Sequence, residues 1–261
     1  MSKQANIVSK PLQPLKRAIV VGASSGIGAA LTRELVGRGY IVAALARREA
    51  ELNALCAALN AYSPDTPRAF AYVHDVTNTE AVPALFQQIV QDLGGLDLMV
   101  YAAGMQTAVS LDEYDTAKDK AMIETNLIGA MAWLNETAVR FARARRGHIV
   151  GISSIAGDRG RVGAPGYNTS KAGLNTYLEA LRNRLAKKHV TVTTIKPGFV
   201  DTALLKNAPK TFWVISPEEA AQQIMAAIQK KRQVAYVPAR WGLVGLVIRH
   251  IPSFIFRLLN F

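Results

Sequence analysis

The sequence is poor in cysteine and contains no long apolar run. Its single cysteine, Cys56, has no partner for an intrachain disulfide. With no histidine near it in the sequence, we expect a buried apolar group rather than a catalytic thiol. No run of 18 uncharged apolar residues occurs, which disfavours a standard membrane-spanning helix. The first 17 residues are basic and lack the apolar stretch of a secretory signal. These absences predict a cytoplasmic protein, or one at the cytosolic face of a membrane.

Acidic residues are absent from both ends of the chain. Residues 1–33 contain five basic residues and residues 220–261 contain six, with no acid in either segment. The net charge of +12 therefore belongs to the ends, where it favours an anionic membrane surface. Helix-dipole effects account equally well for the basic clusters that end predicted helices. No helix-turn-helix, zinc-finger or RNP pattern occurs, so no nucleic-acid partner is predicted. The histidines lack metal-ligand spacing, so no metal is predicted.

Apolar strands alternate with helices between residues 16 and 237, which is typical of a parallel sheet covered on both faces. We predict an α/β fold: a doubly wound, Rossmann-type domain with about seven parallel strands and helices on both faces. This catalytic domain would span 16–238, between a basic arm over 1–15 and an apolar, basic tail over 239–261. The pattern places strands over 17–21, 41–46, 70–76, 96–102, 147–153, 190–195 and 233–237, and helices from the glycine loop to 38 and over 48–60, 80–93, 116–143, 167–188 and 217–230.

A glycine-rich loop, Gly22-Ala-Ser-Ser-Gly26-Ile-Gly28, joins the first predicted strand to the first helix. Glycine lets the backbone approach a pyrophosphate, whose charge the helix N-terminus stabilises. The loop resembles that of the classical short-chain dehydrogenase/reductase family, although Val21 stands where the family usually has threonine. The resemblance implies a nicotinamide cofactor, bound by the loop residues Gly22, Ser24, Ser25, Gly26, Ile27 and Gly28.

Two arginines, Arg47 and Arg48, follow the second predicted strand where a carboxylate would select NAD. A carboxylate accepts hydrogen bonds from the ribose 2′-hydroxyl, whereas arginine binds a 2′-phosphate. The sequence therefore predicts NADP(H), with Arg47 as the first contact and Arg48 as the second. The alternative is a pair of solvated arginines at the start of a helix.

The family resemblance continues around the cofactor. Asp75, followed by Val76, matches the acidic residue that approaches the adenine ring. Ala103 and Gly104 match only the last half of the family's Asn-Asn-Ala-Gly turn, which here begins with Tyr101. Because Val21 and Tyr101 depart from the family together, the resemblance implies that an apolar contact replaces a hydrogen bond between these strands.

A candidate catalytic pair, Tyr167 and Lys171, lies one helical turn apart on one face. A nearby cation favours phenolate and lowers the pKa of a phenol, which equips the pair for proton transfer to a carbonyl oxygen. The resemblance implies a tetrad with Asn126 and Ser154: Tyr167 as acid/base, Ser154 orienting the carbonyl, Lys171 binding the nicotinamide ribose and Asn126 holding a water. Alone, Asn126 is equally typical of a helix kink.

The stretch after the sixth predicted strand, Pro197-Gly-Phe-Val200-Asp-Thr202, matches the turn that lies against the nicotinamide in the family. The predicted contacts are Pro197, Gly198, Val200 and Thr202. The apolar residues over 203–216 would form either a wall for an apolar substrate or a lid packed on the core.

The leading functional prediction is an NADPH-dependent reductase of a hydrophobic, lipid-like or steroid-like ketone. Oxidation of a lipophilic alcohol is the alternative, and a non-catalytic dinucleotide sensor is a third possibility. The tail resembles those of membrane-associated family members, but it could also cover the cleft or form an interface. The resemblance also implies a homodimer or homotetramer through the two long helices.

Overall fold

Seven parallel strands form one sheet, which confirms the predicted fold class. The computed structural model describes residues 16–62, 64–207 and 211–259, so the predicted arm over 1–15 lies outside the described residues. The strand order is β3-β2-β1-β4-β5-β6-β7. Winding reverses between β1 and β4, and ligands bind beyond the carboxyl ends of the strands at such a reversal. The strands are β1 Lys16–Val21, β2 Tyr40–Ala46, β3 Ala69–Val73, β4 Leu98–Tyr101, β5 His148–Ile152, β6 Thr191–Pro197 and β7 Val234–Val237.

Helices cover both faces of the sheet, close to the predicted positions. Single 3-10 turns at Thr79–Ala81, Ile155–Gly157, Ala186–Lys188 and Ala203–Asn207 join some of the elements. The helices are α1 Gly26–Gly37, α2 Glu49–Asn60, α3 Val82–Asp92, α4 Thr116–Ile123, α5 Gly129–Ala144, α6 Pro165–Leu185, α7 Pro217–Gln229, α8 Trp241–His250 and α9 Ser253–Phe256.

Consecutive side chains of β1 enter two different cores. Val20 packs in the core that contains Leu31 of α1, whereas Val21 packs in the core that contains Trp133 of α5. Cys56 is buried in the first core, as the sequence predicts. Since strands buried on both faces have no polar side, they appear in the sequence as short apolar runs.

A π-helical turn, Glu124–Ile128, separates α4 from α5 where the sequence predicts one continuous helix. The Tyr101 hydroxyl donates to the Thr125 carbonyl at 2.6 Å. The Asn126 amide pairs with the Met105 backbone in both directions, at 2.7 and 2.9 Å. These tertiary bonds hold the wider turn, a feature that is frequent at functional sites.

The tail packs against the loop that follows β5. At Gly245 of α8, an added Cβ would lie 2.8 Å from Asp158 and 2.9 Å from Tyr236, so only glycine allows this approach. Asp158 is buried, forms an ion pair with Lys196 and accepts a 2.6 Å hydrogen bond from the Tyr236 hydroxyl. The loop after β5, the end of β6, β7 and the tail therefore meet at one polar cluster.

Arg159 fastens the end of α8. Its guanidinium donates to the carbonyls of Ile248, at 2.7 Å, and Ile251. It also lies 4.0 Å from the ring centre of Phe256. Because the last carbonyls of a helix lack intrahelical partners, Arg159 caps the helix and holds the turn into α9. Among the described residues, no helix is long and apolar enough to cross a membrane.

Candidate active site

The glycine loop connects β1 to α1 at the winding reversal. Gly22 has a φ of +93°, and a Cβ there would lie 2.4 Å from the Ala103 nitrogen. A Cβ at Gly28 would lie 2.0 Å from the Gly22 carbonyl oxygen. These contacts require glycine and place the loop against the turn after β4. Ile27 packs on the core below the loop.

The N-terminus of α1 fits a phosphate group. Ser25 precedes the helix without capping it through its side chain, and the first turn contains no acid. The first N–H groups of a helix have no intrahelical partner and attract anions. The predicted pyrophosphate site therefore has both the close-packed glycines and the open donors that it needs.

The two arginines after β2 point to different partners. Arg48 donates to the hydroxyls of Ser24 at 2.9 Å and Ser25 at 2.5 Å, and its other nitrogen lies 3.5 Å from Glu51. Arg47 lies 3.6 Å from Asp75. The structure thus brings Arg48, which the sequence ranks second, onto the glycine loop and gathers three donor side chains there.

Asp75 and Val76 lie beyond β3. Val76 is buried, and Thr77 donates to Asp75 from its nitrogen at 2.9 Å and its hydroxyl at 2.8 Å. Although partial burial acts to raise it, these bonds and the charge of Arg47 hold the pKa of Asp75 below its ordinary value. The carboxylate is therefore ionised at neutral pH.

Val21 and Tyr101 are register partners on β1 and β4, and both side chains are buried in one core. The Ala102 nitrogen donates to the Val21 carbonyl at 2.8 Å. A Cβ at Gly104 would lie 3.3 Å from Lys171 Nζ and 3.4 Å from Asn126 Oδ1. The turn after β4 therefore reaches the catalytic candidates.

The structure brings the four predicted catalytic residues together at this edge, and all four are buried. Ser154 follows β5 and forms a side-chain hydrogen bond with Tyr167 of α6. Lys171 Nζ lies 5.8 Å from the Tyr167 ring centre and donates to the Ile152 carbonyl at 3.0 Å. Asn126, in the π-helical turn, donates to the Ser170 hydroxyl at 2.9 Å.

Burial changes the acid–base properties of this group. It raises the pKa of Tyr167 above its ordinary value, against the hydrogen bond from Ser154 and the charge of Arg161, which act to lower it. Burial also lowers the pKa of Lys171 to about 8. The sequence predicts that Lys171 lowers the pKa of Tyr167. The structure differs because both groups are desolvated, and the cation that acts on the phenol is Arg161, which the sequence analysis did not identify.

The turn after β6 closes the other side of the site. The Gly198 nitrogen donates to the Val237 carbonyl at 2.9 Å, and Pro197 ends β6. Val200 is buried and forms an isolated bridge with Ile215.

Two contacts join this turn to other parts of the molecule. A methyl carbon of Thr202 lies 2.9 Å from where a Cβ of Gly26 would be, so Thr202 adjoins the glycine loop. At Gly198, an added Cβ would lie 2.0 Å from Trp241 Nε1. The first residue of α8 thus rests on the turn.

An apolar cluster surrounds Tyr167. A small buried cluster of Met122, Ala156, Ala164 and Tyr167 is packed by Met105, Val109 and Leu204. The stretch over 203–216 also contributes Phe212 and Trp213, which contact Phe199 and Trp241 at ring-centre distances of 5.1 to 5.6 Å. Leu204 therefore packs on the Tyr167 cluster, while the aromatic residues pack on the tail.

Comparisons with known proteins agree on one family. The model of the short chain dehydrogenase family matches residues 16–212. An uncharacterized oxidoreductase of Mycobacterium tuberculosis is 32% identical over 224 residues, which cover 85% of this chain and 88% of that protein. An uncharacterized oxidoreductase of Myxococcus xanthus is 37% identical over 199 residues, covering 76% of this chain and 78% of that protein.

Solved structures share the fold. ElxO with NADP bound superposes with a TM-score of 0.76 at 22% identity, covering 85% of this chain and 97% of ElxO. Actinorhodin polyketide ketoreductase with NADPH superposes with a TM-score of 0.74 at 25% identity, covering 81% of this chain and 89% of the ketoreductase.

Proposed function

Because this chain belongs to the short-chain dehydrogenase family of oxidoreductases, we propose that it is an NADPH-dependent reductase of a hydrophobic, lipid-like or steroid-like ketone. The observation that carries the proposal is the buried, hydrogen-bonded pair of Ser154 and Tyr167 within an apolar cluster, at the sheet edge where the glycine loop lies. In this reading, 16–238 is the catalytic domain and 239–261 the tail.

The cofactor is NADP(H). When bound, it supplies the hydride that reduces the carbonyl carbon. The glycine loop and the N-terminus of α1 hold the pyrophosphate. Arg48, Ser24 and Ser25 bind the 2′-phosphate, with Arg47 as the flanking cation, and no carboxylate ends β2. Two fold relatives, ElxO and the polyketide ketoreductase, bind NADP and NADPH respectively.

Other predicted contacts position the rest of the cofactor. Asp75 and Val76 flank the adenine, and Ala103 and Gly104 lie between the adenosine half and Lys171. The turn with Pro197, Gly198 and Val200 faces the nicotinamide, and Thr202 adjoins the glycine loop. Each of these residues lines the edge formed by the carboxyl ends of the strands, where open α/β sheets bind ligands.

Tyr167 donates its phenolic proton to the carbonyl oxygen, and Ser154 holds that oxygen by a hydrogen bond. The Lys171 ammonium binds the nicotinamide ribose and returns a proton to Tyr167. Asn126, fixed by Met105 and Ser170, orders a water that continues the proton path. Proton transfer of this kind contributes about 10²–10⁴-fold to the rate.

The raised pKa of Tyr167 supports the reductase proposal, because it keeps the phenol protonated. A reductase needs the phenol in its protonated form, whereas oxidation of a lipophilic alcohol, the alternative function, needs the phenolate. A non-catalytic dinucleotide sensor would not require the buried Ser154–Tyr167–Lys171 arrangement.

Substitution of Tyr167 tests the function. NADPH oxidation is followed with methyl ketones of increasing chain length. We expect wild-type activity to rise with chain length. Tyr167→Phe should lower turnover by about 10²–10⁴-fold while NADPH binding, followed by fluorescence, persists. Tyr177→Phe is the matched control, because that hydroxyl bonds Asn135 of α5, nearly three helical turns along α6 from Tyr167. Near-normal turnover of Tyr167→Phe would remove it as the proton donor.

The exposed apolar and basic residues of the tail support the proposal that the protein associates peripherally with an anionic membrane. Leu243, Leu246 and Val247 of α8 are 48–69% exposed at helical i, i+3, i+4 spacing, and Phe254 and Leu258 are also exposed. The tail carries Arg240, Arg249 and Arg257 and no acid. An exposed apolar helix face flanked by cations is typical of interfacial binding, with the arginines reaching the headgroups.

Vesicle flotation tests this association. Full-length protein should float with phosphatidylcholine vesicles that contain phosphatidylserine, and less with phosphatidylcholine alone. Leu243→Glu should weaken flotation, while Tyr62→Glu, at an exposed aromatic residue after α2, should not. Wild-type protein that stays unbound at low salt would leave the tail as a lid or an interface between subunits.

A further inference from the structure

Arg161 lies in the loop between Ser154 and α6, held against the first turn of that helix. The Asn168 amide, next to Tyr167, donates to the carbonyls of Arg161 at 3.3 Å and Gly163 at 3.0 Å. Its oxygen accepts from Arg161 Nη2 at 3.4 Å. Asn168 is itself buried, so the guanidinium has a fixed position beside the proton donor.

The Arg161 side chain has an unused donor and, among the described residues, no counter-ion. Its Nε is buried and has no hydrogen-bond partner, and within the described part of the chain no carboxylate pairs with it. Its charge interacts with that of the titratable neighbour Tyr167. Arg159, two residues earlier, contrasts with it by donating to two carbonyls. Burying a guanidinium with an unused donor is unfavourable unless another group supplies the anion.

We infer that Arg161 forms an anion-binding subsite for a carboxylate or phosphate group of the substrate. This inference rests on the proposed function and narrows its substrate class. The apolar cluster around Met122, Ala164 and Leu204 would take the aliphatic part. The substrate is then an amphipathic ketone, with its anionic group near the carbonyl that Tyr167 protonates.

The ligand chemistry follows from the guanidinium. Its planar donors bind carboxylate and phosphate oxygens in pairs. Nε and Nη2 lie on one edge of that plane, and Nη2 makes one long bond to an amide oxygen. An anionic group of the ligand would accept a hydrogen bond from Nε. It would also either replace Asn168 as the acceptor for Nη2 or share that donor with it.

Binding of simple probes tests the subsite without turnover. Decanoate, decyl phosphate and 1-decanol are titrated into the protein–NADP⁺ complex and followed by tryptophan fluorescence. We expect decanoate or decyl phosphate to bind at least about tenfold more tightly than 1-decanol, as one charge-assisted contact provides. Preference for one of the two anions identifies carboxylate or phosphate as the natural group.

Arg161→Gln should bring the affinity ratio of anion to alcohol close to one. Arg146→Gln removes an equal charge beyond the opposite edge of the sheet, before β5, and should keep the ratio. If Arg161→Gln does not fold, Arg161→Met replaces it, and the wild-type ratio is informative by itself. A wild-type ratio near one, or a ratio that survives the loss of Arg161, would overturn the subsite. Failure of the Tyr167→Phe experiment would refute the reductase without altering this ratio.

Discussion

The Tyr101 hydroxyl donates a 2.6 Å hydrogen bond to the carbonyl of Thr125, in the π-helical turn that carries Asn126. By the family resemblance, Tyr101 stands at the first position of an Asn-Asn-Ala-Gly turn. Its ring fills the core while its hydroxyl reaches across to the turn. Tyr101 therefore fills the core with its ring and still supplies a hydrogen bond through its hydroxyl.

Tyr101→Phe should destabilise the protein, because it removes the buried hydrogen bond to the Thr125 carbonyl. The expected loss in the free energy of unfolding is about 1–3 kcal/mol, measured by chemical denaturation. Turnover should fall with it, since Asn126 loses its support. Tyr177→Phe removes an exposed hydroxyl bonded at the same 2.6 Å distance and should cost less. Equal losses for both variants would show that the turn does not depend on Tyr101.

Arg48→Ala should weaken NADPH binding about tenfold or more, because it removes a charge-assisted contact to the 2′-phosphate. NADH binding should change little. Arg47→Ala, whose side chain faces Asp75, should have the smaller effect. Titration of both cofactors into all three proteins measures this, and a larger loss for Arg47→Ala would restore the order that the sequence favours.

NADPH affinity should fall as the pH rises through about 8, the pKa of Lys171. The ammonium is charged below that pH and neutral above it, so the cation beside the cofactor is lost. Tyr167 remains protonated in this range because its pKa is raised. Lys171→Met should bind NADPH more weakly and with a flat pH profile between 7 and 9. A profile that keeps the wild-type slope would assign the titration to another group.

Homodimer or homotetramer formation is expected through α5 and α6. Ile128 and Val139, three helical turns apart on one side, are 44% and 50% exposed. Val139→Arg should shift the mass measured by light scattering toward the monomer. Val73→Arg, at a similarly exposed valine of β3, should not. A wild-type monomer would refute this interface.

The strands and most helices were predictable because each follows from local sequence. A strand buried on both faces must be apolar throughout, as Ile19 and Val20 of β1 are. Gly22 and Gly28 are required because a Cβ at either position would collide with nearby backbone atoms. The Tyr167–Lys171 pair was predictable because residues four apart lie on one face of a helix, whereas Ser154 and Asn126 were predicted from the family resemblance.

Other features depend on contacts between distant segments. The π-helical turn at Asn126 is set by Tyr101 and Met105; an asparagine at this position suggests a helix kink, but it does not specify a π-helical turn. The direction of the Tyr167 pKa depends on desolvation, which a sequence does not report. Arg161 and Arg159 lie in the loop between β5 and α6. Charged residues are common in loops, so the sequence alone does not single these two out. Only their contacts distinguish them. Arg161 makes one long side-chain hydrogen bond through Nη2, and its buried Nε has no partner. Arg159 donates to the carbonyls at the end of α8.

The contact between Trp241 and Gly198 means that the tail is not a detachable module. The indole occupies the space that any larger residue at that turn would need, and Asp158 and Arg159 secure the helix behind it. Grafting the tail onto another family member would therefore also require the residues that it contacts, Gly198, Asp158 and Arg159. Likewise, a fusion partner joined directly to the C-terminus would load a segment whose first helix touches the turn after β6.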